Sequence, residues 1–137
     1  MLRLTAADTD DLAIISAQMQ DAVMKRADLR FDQKRHRFAL VANRFAWDAL
    51  PEKQRRRAGL HFDDVENVQS TGLARLPAGA VLSLLALTFT PTHDLGGIIT
   101  LNFSSSIYVR LTVSCINATL ADLGGTWSTA STPAHKV

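Results

Sequence analysis

Hydrophobic and polar positions along the chain change period several times, and each change marks an element. Leu12, Ile15 and Met19 recur at helical spacing behind Asp8, a fitting N-cap. Asp10 and Asp11 fall in the first turn, where the helix dipole favours carboxylates. A helix is predicted from there to about Asp21. From Val23 the period drops to two, with Val23, Ala27, Leu29 and Phe31 on one face and Met24, Arg26, Asp28, Arg30 and Asp32 on the other; Lys25 is an exception on the apolar side. The polar break at 32–35 predicts a hairpin. Its returning strand, His36 to about Trp47, carries Phe38, Leu40 and Ala42 on one face and Ala39, Val41, Phe45 and Trp47 on the other.

After a connection containing Pro51, Ala58, Leu60 and Phe62 alternate with Arg57, Gly59, His61 and Asp63, a half-buried strand extending toward Val65 and Val68. VLSLLALTF at 81–89 has aliphatic residues on both faces and reads as a central strand or one lying under a helix. Gly96 and Gly97 open a strand to Phe103, and Ser104–Ser106 turn into the cleanest alternation, Ile107, Val109, Leu111 and Val113. Ile116, Leu120 and Leu123, followed by Gly124 and Gly125, predict a closing helix with a glycine C-terminus.

The expected fold class is therefore α+β: about six mainly antiparallel strands between an N-terminal and a C-terminal helix, since short connections favour antiparallel neighbours. Two architectures fit. The strands form a curved sheet or pleckstrin-homology-like roll with the last helix over one opening, which is fold analogy, or an open sheet with both helices on one face. A single domain over 1–125 and a loose tail over 126–137 are expected from the length and the small hydroxyl residues at the end.

Composition narrows the class. With 47% hydrophobic and 20% charged residues the chain is built to fold. VLSLLALTF is far short of the ~20 apolar residues of a membrane helix, and the acidic start has no signal-peptide pattern. One cysteine, Cys115, permits neither an intramolecular disulfide nor a cysteine-based zinc site. A cytoplasmic protein with no membrane partner is expected.

Charge is distributed unevenly. The formal net charge is +2, yet residues 25–57 hold eleven Lys and Arg against four acids. Within that segment Arg26, Arg30, Lys34, Arg35, Arg37, Arg55, Arg56 and Arg57 are the candidate contacts. Brought together, they would neutralise several phosphates, with Phe45 or Trp47 placed to stack on bases. The alternative is a charged sheet rim that keeps edges from pairing and balances Asp28, Asp32, Asp48 and Glu52.

Other chemistry is sparse. His36, His61, His93 and His135 are scattered, with no HExxH, CxxC or calcium loop, so no metal ligand is assigned. No GxSxG or SxxK accompanies a nucleophile, and Cys115 sits between apolar elements as an inert thiol. Gly96 and Gly97 lack the surroundings of a nucleotide loop. Asp63, Asp64 and Glu66 read as solvated acids, and His93 with Asp94 as part of a connection. No catalytic residue and no cofactor are assigned, and the balance leans away from an enzyme.

LTAADTDDLAIISAQMQDAV, RFALVANRFAWD, RRRAGLHFDDVENVQSTGL and RLTVSCINATLADLG together resemble a small proteobacterial, specifically alphaproteobacterial, family defined as a domain of unknown function, over about residues 2–125. The resemblance implies a stand-alone bacterial cytoplasmic domain and carries no site residues with it. The expected function is thus a non-enzymatic binding or interaction module, partnered by another protein or by itself as a homo-oligomer, because VLSLLALTF and the 36–47 strand hold more apolar surface than one core needs. The alternative is nucleic-acid or anion binding through 25–57, and the third option an enzyme acting on a small anion through the same arginines.

Overall fold

The computed structural model describes residues 1–128, with side chains to residue 124. Ten strands and one α-helix occur among the described residues. They run β1 (Arg3–Ala6), α1 (Thr9–Gln18), β2 (Val23–Lys25), β3 (Leu29–Asp32), β4 (Arg37–Phe45), β5 (Gln54–Phe62), β6 (Val65–Thr71), β7 (Val81–Pro91), β8 (Gly97–Phe103), β9 (Ile107–Val113) and β10 (Ala118–Ser128). All pairs are antiparallel, in the order β1-β10-β5-β4-β2-β7-β8-β9-β6, with β3 also on β4.

This order corrects the α+β expectation and, with it, the roll capped by a closing helix: the fold is β-rich, and residues 118–128 form a strand. Ile116, Leu120 and Leu123 do satisfy a helical spacing. Ala118, Leu120 and Asp122, however, are buried on one face while Leu123 is exposed, a period of two that pairing with β5 enforces. Gly124, expected as a helix terminus, has φ 95° and sits where the β10–β5 register shifts, a β-bulge position suited to glycine. The last residues of the expected loose tail, from 129, lie outside the described residues.

One core joins the two halves of the sheet. In the first half Leu29, Leu40, Leu60, Leu120 and Leu4 lie in register across five strands. In the second half the inward residues are Leu84, Leu87, Ile99, Leu101, Phe103, Val109 and Leu111, and all belong to a single cluster with the leucine row. Each fully buried leucine of that row contributes roughly 1.5–3 kcal/mol. VLSLLALTF is central as expected, between β2 and β8. It lies against α1, whose Ser16 Oγ accepts the Leu87 amide proton at 2.9 Å.

The helix starts as its sequence dictates. Asp8 is extended and its carboxylate accepts the Asp11 amide at 2.8 Å. Asp8→Ala should lower stability by about 1 kcal/mol; an unchanged urea midpoint would show that the cap is not used. The expected strand from Val23 is broken at Arg26–Asp28 by a 3-10 turn. Arg26 and Ala27 there give their amide protons to Ala80 and Ala78 at 2.9 and 3.0 Å. β5 and β6 are likewise separate strands, parted at Asp63 and Asp64, where Asp64 has φ 59°.

Candidate anion-binding face and a buried ionic layer

Because paired residues share a side, the outer face of the first half-sheet follows from its register. One row runs Arg30, Ala39, His61, Thr119, Thr5; the next runs Val41, Gly59, Ala121, Arg3; beyond it Asn43 pairs with Arg57. From β3 to β1 this face is about 19 Å wide at the usual strand spacing. Its floor is Ala39, Val41, Ala121, Thr119 and Thr5 with His61 among them, and Leu123 covers Gly59, whose missing Cβ would be 3.5 Å from it. Arg3, Arg30 and Arg57 are exposed around this floor and, among the described residues, form no ion pair.

The candidate cations of the basic segment divide four ways. Arg30 and Arg57 stand on this face with Arg37, which is held by Asp63 (Nε to Oδ1, 2.7 Å). Lys34 and Arg35 are at the exposed hairpin tip beside them; the Asp32 carboxylate accepts the Arg35 amide at 3.2 Å and lies 3.7 Å from its guanidinium. Arg26 and Arg55 turn to main-chain carbonyls instead: Arg26 Nε donates to Leu73 at 3.0 Å, and Arg55 Nη1 to Asn43 at 3.2 Å. Arg56, in phase with Ala58 and Leu60, points inward. The aromatic residues do not join the face. Phe45 is fully buried, edge-on to Trp47 at 4.6 Å, and Trp47 Nε1 donates to the Gln20 carbonyl at 3.1 Å.

His61 occupies the middle of the face. Burial, followed by the charge of Arg37, lowers its pKa below the ordinary imidazole value despite Asp63, whose Oδ2 is 3.5 Å from Nε2; Arg3 adds to the lowering. His61 is therefore neutral at physiological pH, and the positive charge of the face resides on its arginines.

The inner side of the same strands ends in an ionic layer. Arg44 has no exposed surface, and its Nε and Nη2 donate to Asp122 Oδ1 and Oδ2 at 2.8 and 2.9 Å, while Nη1 donates to Asp48 at 2.9 Å. Arg56 Nη1 lies 3.5 Å from Asp48 and 3.6 Å from Asp122. The Asp122 carboxylate also accepts the Leu2 amide proton at 2.8 Å. Burial raises the Asp122 pKa, but the hydrogen bonds from Arg44 and Leu2 outweigh it, so the group ends below the ordinary carboxylate value. Asp48 is lowered likewise by Arg44 against its own desolvation.

Arg3 escapes a reading based on charge density, and that reading counts Arg44 in the basic segment without showing that it is buried. Arg3 lies in an acidic segment, yet alternation of Leu2, Leu4 and Ala6 with Arg3 and Thr5 marks a strand. Arg44 continues the phase of Phe38, Leu40 and Ala42, which places it with the core.

The remaining chemistry is quiet. Cys115 donates to Asp64 Oδ2 at 3.3 Å, and burial together with that carboxylate raises its pKa, which disfavours the thiolate. Asp64 also accepts from Asn117 at 3.1 Å. His93 and Asp94 are exposed in the β7–β8 connection. Among the described residues no three His, Cys, Asp or Glu gather as a metal site, and no helix is long and apolar enough to cross a membrane. A family model described as "Protein of unknown function (DUF2948)" matches residues 2–135. No curated protein and no solved structure matches the chain.

Proposed function

The chain belongs to that family of unknown function, and from this premise we propose that it is a non-enzymatic module binding polyanions on the outer face of its first half-sheet. The observation that supports this reading is the placement of Arg3, Arg30 and Arg57, exposed and without an acidic partner among the described residues, around a floor of alanine, valine and threonine with His61 at its middle. An extended, charged backbone would lie across this face between the arginines, whose guanidinium forks suit phosphate oxygens. Since Phe45 and Trp47 are engaged elsewhere, base stacking is not part of the interaction. The ligand class is single-stranded nucleic acid held by its phosphates, with little sequence preference.

Three neutralised phosphates give a slope of log K on log salt of about −2, hence roughly a fifteen- to twentyfold loss of affinity over a fourfold rise in salt. Fluorescence anisotropy with a labelled oligouridylate tests this. Arg3→Ala with Arg30→Ala and Arg57→Ala should flatten the slope, and salt-independent or absent binding by the wild-type chain rejects the reading.

Self-association is the second reading. It is supported by Val81 and Leu85, exposed at 64% and 43% on a strand whose other leucines fill the core. Light scattering showing a strict monomer at high concentration removes it.

A further inference from the structure

We infer that the recess between β2 and β4 is a seat for a small carboxylate bearing a branched aliphatic body. It rests on the anion reading of the outer face only through Arg57, which both sites share. The recess arises from a gap in strand pairing. β3 covers the edge of β4 up to Leu40, β2 meets it again at Asn43, and Val41 and Ala42 have no strand partner on that side. The gap is built into the fold, because the 3-10 turn at Arg26–Asp28 carries the chain off β4 toward Ala78 and Ala80. The Asp28 carboxylate locks that turn by accepting the Lys25 amide proton at 3.1 Å.

What fills the gap is a cavity of about 420 Å³, within the size range of small-molecule sites. Val23, Val41 and Val81, from three different strands, form its apolar wall. Val81 is 64% exposed there, an aliphatic side chain that a ligand would cover. Lys25 and Arg57, both exposed, supply the cationic groups, and Asn43, Met24 and Ala42 also line the recess. Asp28 is the single acid, and its Oδ2 is engaged by the main chain. Two cations beside a three-valine wall select a carboxylate whose body is aliphatic and branched. Two sources share that chemistry, a 2-oxo acid and an α-amino acid, and the presence of Asp28 separates them: an ammonium would gain from it and a ketone would not.

The test is titration of the full chain by nuclear magnetic resonance and calorimetry with 4-methyl-2-oxopentanoate, L-leucine and the uncharged 3-methyl-1-butanol. At least one acid should saturate and the alcohol should not, and Lys25→Ala and Arg57→Ala should each weaken binding about tenfold, the effect of losing one charge-assisted contact. Tighter binding of leucine, lost in Asp28→Asn, assigns the amino acid; tighter binding of the oxo acid assigns the other source. No saturation by either acid, or affinity unchanged in both Lys25→Ala and Arg57→Ala, overturns the inference. Oligouridylate binding measured alongside keeps the two sites apart: Arg3→Ala with Arg30→Ala should weaken it while leaving the small acid bound, and Lys25→Ala should do the reverse.

Discussion

Arg44→Ala will destabilise the fold by about 3–5 kcal/mol, the cost of removing one partner from a buried ion pair. Asp122, with 1% of its side chain exposed, would then keep only the Leu2 amide and Arg56, 3.6 Å away. The loss comes from stranding a charge more than from forfeiting a favourable pair. Arg44→Met combined with Asp122→Asn, which removes both charges and keeps an acceptor for Leu2, should therefore recover most of it. Urea unfolding of the three proteins decides: a single variant within about 1 kcal/mol of wild type contradicts the layer as described.

The same carboxylates set the acid limb of stability. Asp48 and Asp122 have folded pKa values below their ordinary 3.8, so the native state binds fewer protons than the unfolded chain in that window. Their contribution is complete above the unfolded value and is lost as pH falls from there through the lower folded values. Unfolding free energy measured from pH 6 downward should fall most steeply in that window, and less steeply in the neutralised double variant.

Gly97→Ala is the second large effect, expected at about 1–3 kcal/mol as an overpacking cost. Gly97 faces Pro91 across the β7–β8 ladder, and a Cβ there would lie 2.4 Å from the Thr90 carbonyl oxygen and 2.5 Å from the Phe89 ring. The ring could rotate aside, but the carbonyl belongs to the ladder and cannot move without breaking it. Gly79, where a Cβ would meet nothing within 4 Å, is the control, and Gly79→Ala should stay within about 0.5 kcal/mol of wild type. Equal thermal midpoints for the two variants would contradict the close approach at Gly97.

Local pattern revealed most of the strands but not their assembly. Asp8 as N-cap, the hairpin at 32–35 and the alternation at 107–113 are properties of a few neighbouring residues, so they could be read directly. The closing segment could not: Ile116, Leu120 and Leu123 fit both periods, and the partner that selects the strand, β5, lies some sixty residues earlier. The arginines show the same division. Their density in 25–57 is visible in the chain, but which of Arg55, Arg56 and Arg57 points outward depends on strand phase, and Arg3 joins them only through two pairings, β1 to β10 and β10 to β5. Arg44 was legible in principle, as the one cation in phase with Phe38, Leu40 and Ala42, although the Asp122 that neutralises it lies 78 residues away.

The place of β10 between β1 and β5 also orders events during synthesis. Until residues 118–128 leave the ribosome, β1 has no partner, Arg44 lacks its principal carboxylate, and the nine-residue edge of β5 is open. A nascent chain in this condition presents an unpaired strand edge to other nascent chains. Closure is consequently a late step that waits for β10, and the non-local pairing on which it depends places this protein among slow folders.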